Sequence, residues 1–402
     1  MVPTRILFFS LAFGVGIKSF AQNNPVPSSP PELNTEVKPD LKTETKFETK
    51  FEPIGDLRYR LNNSKEGDDE ARTFHQLRAR LGIKAQVEEN LALTFRLASA
   101  SSAISANQTL GDAGAPGMPR RAFGLDLAYT EYKFGDGKIW LGRTANPFWA
   151  PVKNQLIYDS DLAFEGLAIK YEPKWESVSA FLNLGGFIVN ESYDKPYDTV
   201  DMGIASAQAG VSWAGLTFHV AQHAFVNIQD RAITGVEAGA KVDPFQGTSF
   251  NVYRGNTVYP NDPNLPAASR IYYFQNKYVV ANAGLEYKYK SGGLETSLFA
   301  DFIRNTTLER LNNGLEAGVG LKYERVLLQL ARITKQADST VGAFTDSDTN
   351  GGGTDVDGTR LILGYQFSPK SSISINRFQA TRGLDTVSRP FSLTQVDLVA
   401  SF

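Results

Sequence analysis

The chain has 402 residues, and its 43 acidic and 41 basic residues give a formal net charge of −2. A slightly acidic chain lacks the basic surface that phosphates require, which excludes a general nucleic-acid binder. The sequence contains no cysteine, so disulfide bonds and cysteine metal ligands are excluded as well.

The first 21 residues have the features of a secretory signal peptide. Arg5 supplies a positive start, an apolar stretch runs from Ile6 to Ile17, and Ser19-Phe20-Ala21 offers small residues for cleavage. The stretch is too short for a spanning helix, so we expect export and cleavage after Ala21 rather than an uncleaved anchor. Loss of Arg5 and Lys18 would lower the basic count from 41 to 39 against 43 acidic residues, a net charge of −4.

Residues 22–52 differ in composition from the rest of the chain. Five prolines interrupt any regular element, and a charged near-repeat follows at 42–52. This composition predicts a short, mostly disordered periplasmic tether. The alternative is a segment that contacts the cell wall or folds into the following domain.

From residue 53 to 402 apolar and polar residues alternate with the period of a β-strand. In the clearest strand, at 76–87, Leu77, Ala79 and Leu81 share one face, and Arg78 and Arg80 share the other. Short turns join such strands in pairs at 88–90, near 173, and at 214–215, 291–293 and 368–370. Long polar connections lie on the other side, at 99–120, 144–160, 186–199, 254–270, 305–313, 334–357 and 381–390.

This segregation of short turns and long loops is typical of an all-β transmembrane antiparallel β-barrel. The alternative is a soluble sandwich or propeller, in which loop lengths need not segregate. Sixteen strands are clear, and a further pair at 235–242 and 248–253 would make eighteen. A barrel of 16 to 18 strands encloses a water-filled channel, and its closure leaves no backbone edge to meet lipid.

Aromatic residues support a membrane barrel. On the predicted lipid-facing side, aromatics close strands at the short-turn end, where rings favour the membrane interface: Tyr171, Trp213, Tyr289, Tyr323, Phe367 and Phe402, with Phe134 before another short turn. The last strand alternates up to Phe402. It resembles the C-terminal strand that the barrel-assembly machinery recognises, so Phe402 is the expected assembly signal. We therefore expect the protein in the Gram-negative outer membrane, in contact with its lipid.

Several motifs resemble the bacterial "putative porin" family. They are Leu77-Arg78-Ala79-Arg80-Leu81-Gly82, Asn107-Gln108-Thr109-Leu110-Gly111, Gly142-Arg143-Thr144-Ala145-Asn146-Pro147-Phe148 and 159–166. The resemblance implies passive diffusion of small polar solutes and ions without a fixed substrate. Porins often form trimers, which suggests a homotrimer by analogy. Family members often begin with a longer helical segment, whereas residues 22–52 are short and proline-rich.

Charged residues are the candidates for the pore lining. The expected basic residues are Arg58, Arg60, Arg78, Arg80, Lys84, Arg96 and Arg143, and the expected acidic ones are Asp159, Asp161 and Glu165. Charge inside a water-filled channel sets ion preference. The arginines could equally bridge to carboxylates on neighbouring strands.

The third outer loop, 144–160, carries Asn146-Pro147-Phe148-Trp149 and Pro151, and it is stiff and apolar enough to pack inside the barrel. With the loop inside, Asp159 and Asp161 would face Arg78, Arg80 and Arg96 across the pore. With the loop outside, these acids would be solvated.

No pattern in the sequence indicates an enzyme or a cofactor. His219 and His223 share the inward side but stand about 13 Å apart, too far to bind one metal ion, and no histidine is paired with a nucleophile. Asp346, Asp348, Asp355 and Asp357 flank Gly351-Gly352-Gly353. Oxygen ligands of this kind could bind Ca²⁺, although a solvated surface loop is the simpler interpretation. A substrate-specific channel, for anionic solutes or sugars, and a non-channel barrel, such as an adhesin or a structural protein, are the alternatives to a general porin.

Overall fold

A closed antiparallel sheet dominates the described part of the chain. The computed structural model describes residues 47–99, 105–111, 117–118, 120–191, 201–232, 255–266, 271–384 and 387–402. Within these ranges no helix has the length and apolar character needed to cross a membrane. The expected signal peptide, most of the expected tether and the expected strands at 235–242 and 248–253 lie outside the described residues.

In these ranges, sixteen long strands form the barrel wall, two residues extend it at β4, and β11 and β12 form a separate hairpin. The strands are β1 (Lys50–Glu66), β2 (Arg72–Gln86), β3 (Leu91–Ser99), β4 (Gln108–Thr109), β5 (Phe123–Phe134), β6 (Gly137–Ala145), β7 (Ala163–Tyr171), β8 (Val178–Asn190), β9 (Met202–Trp213), β10 (Leu216–Val226), β11 (Val258–Pro260), β12 (Tyr272–Phe274), β13 (Tyr278–Ser291), β14 (Leu294–Asn305), β15 (Asn313–Tyr323), β16 (Val326–Lys335), β17 (Val356–Ser368), β18 (Ser371–Arg382) and β19 (Arg389–Ser401).

The barrel closes where the first strand pairs with the last. β1 pairs antiparallel with β2 on one side and with β19 on the other, so that Arg60 stands opposite Asp397. β9, β10 and β13 are consecutive neighbours, so the chain between β10 and β13 adds no described strand to the wall. The predicted antiparallel barrel is therefore confirmed with sixteen long strands, the lower of the two predicted counts. β1 begins at Lys50, three residues before the expected start of the barrel.

Alternation divides each strand between an outward and an inward face, because successive side chains point to opposite sides of a sheet. Outward residues such as Leu81, Leu141 and Leu298 are exposed in the isolated chain. The aromatic residues predicted at the short-turn end also lie outward and are exposed, and they form a girdle around the barrel. They include Tyr171, Trp213, Tyr289, Tyr323, Phe367 and Phe402. The main apolar cluster lies inside the barrel, where it includes Phe187, Phe225 and Ile333.

Two loops fold into the barrel. The first inner loop, residues 146–162 between β6 and β7, contains a 3-10 turn at Pro151–Lys153 and buries Leu156, Ile157 and Tyr158. The second inner loop, residues 336–355 between β16 and β17, contains 3-10 turns at Gly342–Phe344 and Thr349–Gly351. Nearly all of the second loop is buried, so the interpretation of this glycine-rich segment as a solvated surface loop was wrong. Its apolar Val341 and Phe344 pack inside the barrel and outweigh its polar composition.

Candidate functional site: the constriction of the lumen

The first inner loop covers one side of the lumen wall with aromatic rings. The Phe148 ring packs edge-on against two rings, with centroid distances of 5.1 Å to His223 and 6.2 Å to Phe187. The centroid of the Trp149 ring lies 5.0 Å from the centroid of the His219 ring. Edge-to-face pairs of this kind stabilise packing beyond the area that they bury. The loop is therefore held against β8 and β10.

Polar contacts anchor the same loop to inward side chains. The Trp149 backbone N–H donates to Gln208 Oε1 at 2.8 Å, and Gln208 Nε2 donates to the Trp149 carbonyl at 2.7 Å. Further along the loop, Asn154 Nδ2 donates to Asp301 Oδ2 at 2.9 Å. These bonds reach β9 and β14, so the loop spans the inside of this part of the wall.

The two inward histidines belong to this packed region. His219 and His223 are 0% and 1% exposed. His219 Nδ1 lies 3.0 Å from Gln208 Nε2, and His223 Nδ1 lies 2.9 Å from Ser206 Oγ. Among the described residues no group of three or more histidine or acidic side chains could hold a metal ion. The rings of His223 and His219 contact those of Phe148 and Trp149, so the two histidines help to hold the first inner loop in place.

Arginines line the other side of the lumen. Arg60 on β1 forms two parallel bonds with Asp397, from Nε to Oδ1 at 2.5 Å and from Nη2 to Oδ2 at 2.8 Å. Its Nη1 also pairs with Asp348 of the second inner loop. On β17, Arg360 pairs with Glu316 at 2.5 Å. The second inner loop is therefore attached to the arginine side by the partly buried Arg60–Asp348 pair.

Two carboxylates sit between the arginines of β2. Arg78 contacts Asp56 at 2.9 Å and Asp161 at 3.0 Å. Arg80 contacts Asp56 at 2.6 Å and Asp161 at 3.7 Å. Asp161 thus reaches the arginines directly instead of facing them from the opposite side of the pore.

Asp159 and Asp346 meet where the two inner loops touch. The Asp159 backbone N–H donates to the Phe344 carbonyl at 2.8 Å. Burial, followed by the nearby carboxylates of Asp346 and Asp161, raises the pKa of Asp159 to about 8. Burial and Asp348 also raise the pKa of Asp346. For Asp348, burial is outweighed by Arg60, and its pKa is lowered.

A polar cavity of about 120 Å³ lies between the inner loops and the arginine side. Its lining includes Arg58, Arg60, Asp159, Asp161, Asp348 and Arg360, together with neutral Asn107, Asn376 and Gln395. The Arg58 guanidinium donates to Asn107, and its buried Nε has no hydrogen-bond partner. Among the described residues, no carboxylate lies within ion-pair distance of Arg58.

The other predicted pore-lining residues occupy different positions. Lys84 and Arg96 face inward and pair with Glu131 at 3.2 Å and Asp126 at 2.6 Å, outside the lining of the cavity. Arg143 and Glu165 pair with each other. They share the outward side with Leu141 and Leu167, because residues two apart on a strand point the same way. This pair is therefore not placed in the lumen.

The sequence reasoning did not select Asp56, Asp346, Asp348, Arg360 or Asp397 for the constriction. Three of these lie on strands whose inward polar residues were recognisable by alternation. The signal for the two loop acids was the apolar sequence Val341-Gly342-Ala343-Phe344 within a polar connection.

Solved structures with similar coordinates include an OmpF from Salmonella typhi in complex with daunomycin. The two share 10% identity with a TM-score of 0.49, over 88% of this chain and 97% of that one. OmpT of Vibrio cholerae in a trimer form shares 14% identity with a TM-score of 0.45, over 88% and 99% of the two chains. A triple mutant of Rhodopseudomonas blastica porin shares 10% identity with a TM-score of 0.47, over 88% and 100%. No curated protein sequence matches this chain.

The family model described as "putative porin" matches residues 50–308, which is more than half of the chain. This range begins at the first residue of β1 and extends beyond β14. The family is one of channels rather than of enzymes. The chain belongs to the "putative porin" family and is a porin-type barrel channel of the outer membrane.

Proposed function

We propose that the chain is a general diffusion porin for small polar solutes and ions, and that its constriction lies between the two inner loops and the arginines of β1, β2 and β17. The observation that carries this proposal is the asymmetric filling of the lumen. Loops cover the histidine side, while a cavity lined by charged and amide side chains remains on the arginine side. Opposed charges at such a constriction favour dipolar solutes over apolar ones.

Within this constriction the residues have different roles. Arg58 forms no ion pair with a described carboxylate, whereas Arg60, Arg78 and Arg80 are ion-paired. Asp161 shares its charge with Arg78 and Arg80. Arg58 therefore has the largest influence on passing ions. The family resemblance supports a homotrimer and insertion by the barrel-assembly machinery, and we include both in the proposal.

Single-channel recording in planar bilayers tests this function. We expect an open, weakly selective channel. Arg58→Gln should move the reversal potential in a salt gradient toward cation preference, more than Arg80→Gln does. Asp161→Asn should move it toward anion preference. Both shifts should shrink in molar salt, which screens the charges.

Arg143→Gln is the matched control, since it removes an arginine from the outward side. A closed channel would refute the diffusion role. Equal shifts for Arg58→Gln and Arg143→Gln would show that Arg58 does not line the constriction.

A further inference from the structure

One sector of the outward face carries polar side chains on four neighbouring strands, in addition to the Arg143–Glu165 pair on β6 and β7. On β16–β19 the outward side chains include Arg332, Thr359, Arg377, Gln379, Ser392 and Thr394, which we call the polar face. Strand register makes them contiguous: Arg332 stands opposite Thr359, Thr359 opposite Gln379, and Gln379 opposite Ser392. Arg377 stands opposite Thr394 in the adjacent row. These residues form one patch across four strands.

The depth of the patch places it within the apolar band. On β18 only Ser371, Ile373 and Ile375 lie outward between the short turn and Arg377. Six residues span about 20 Å along a strand, or about 15 Å along the barrel axis at the usual tilt. The apolar band of an outer-membrane barrel is about 25 Å tall. On β15, by comparison, five successive outward residues from Tyr323 to Leu315 are apolar.

Lipid chains cannot form hydrogen bonds or ion pairs with the side chains of the polar face. Arg377 Nη1 donates to Thr394 Oγ1 at 2.6 Å, and among the described residues no carboxylate lies within ion-pair distance of Arg377. Arg332 pairs with Asp357 and stays 59% exposed. Charged residues on the lipid side of a barrel are destabilising, most of all near the middle of the membrane. The polar face therefore requires a cover that offers polar groups at this depth.

We propose that the polar face of β16–β19 is the surface through which copies of this chain associate in the membrane. This inference rests on the proposed homo-oligomer and assigns its interface. Two copies inserted in one membrane present this face at the same depth. Threonine, serine and glutamine side chains each donate and accept hydrogen bonds, so the face is complementary to itself.

Cross-linking in outer membranes tests the assignment directly, because the chain has no native cysteine. Thr359→Cys and Gln379→Cys are made in the full-length chain, and each is treated with a short bismaleimide. We expect a covalent dimer from at least one of them. Ala300→Cys, on the outward side of β14, is the matched control and should give none.

Charge reversal supplies the second measurement. Arg377→Asp should lower the oligomeric fraction at least tenfold in native mass spectrometry, while the monomer keeps its heat-modifiable gel mobility. Cross-links at Ala300→Cys alone would overturn the assigned face but leave the oligomer intact. An absence of cross-links at all three positions, with monomers only in the mass spectrum, would overturn the oligomer as well. The conductance of the monomer would still test the diffusion role separately.

Discussion

The two sides of the lumen wall differ in the chemistry of their inward residues. The side formed by β8–β10, β13 and β14 presents histidine, glutamine and asparagine, together with the carboxylate of Asp301, which Asn154 and Asn282 hydrogen-bond, and a loop covers it. The side formed by β1, β2 and β17 presents arginines, and a cavity remains there. Neutral polar groups can be buried once they are hydrogen-bonded, whereas buried charge is costly without a partner. The inward residues thus determine where a loop can settle.

The largest expected effect comes from loosening the covered side. Phe148→Ala removes the ring that packs against Tyr158, Phe164, Phe187 and His223. Phe148 is partly buried, so its truncation should cost somewhat less than that of a fully buried phenylalanine, which costs about 3–5 kcal/mol. The first inner loop should then loosen and single-channel conductance should rise. Phe218→Ala, on the outward side, is the control. Unchanged conductance in Phe148→Ala would mean that packing of this ring does not hold the loop.

The arginine side should respond in stability. Arg60→Gln leaves buried Asp397 and loop residue Asp348 without their shared cation. Breaking a buried pair in this way costs about 3–5 kcal/mol. The temperature at which the gel mobility changes on heating should therefore fall. A normal transition temperature would show that water replaces the guanidinium at this site.

The junction of the two inner loops should respond to pH. Asp159 is neutral below its pKa of about 8 and negative above it. Cation preference should therefore increase as the pH rises through about 8, and Asp159→Asn should remove that increase. The folded pKa lies above the ordinary value of 3.8, so the junction loses stability as the pH rises between these values. A selectivity that does not change across this interval would contradict the burial of Asp159.

The smallest effect is expected outside the lumen. Arg143→Gln removes one partner of the Arg143–Glu165 pair, which lies on the outward side and away from the lining of the cavity. Reversal potential and heat-modifiable mobility should both stay close to those of the unaltered protein. A clear change in reversal potential would place Arg143 near the ion path after all.

Strand alternation was sufficient to predict the barrel, its short turns and its inward arginines other than Arg143, because side-chain direction on a strand repeats every two residues. The apolar residues Phe148 and Trp149 within a polar connection also predicted that the first inner loop could pack inside the lumen. The contacts between residues distant in sequence could not be predicted in the same way. Asp161 contacts Arg78 across 83 positions of sequence, and the burial of 336–355 depends on the shape of a lumen that only the closed barrel creates.

The seam between β1 and β19 also constrains how the barrel can be assembled. Arg60 and Asp397 are separated by 337 positions in the chain, and Asn62 bonds Gln395 across 333. Neither contact exists until β1 has paired with β19. A slip of one residue in this pairing would turn the inward polar side chains of one of the two strands outward, toward lipid that cannot solvate them. The contacts across the seam therefore stabilise the native register of β1 and β19. A barrel closed in another register lacks these contacts and also the Arg60–Asp348 pair that attaches the second inner loop.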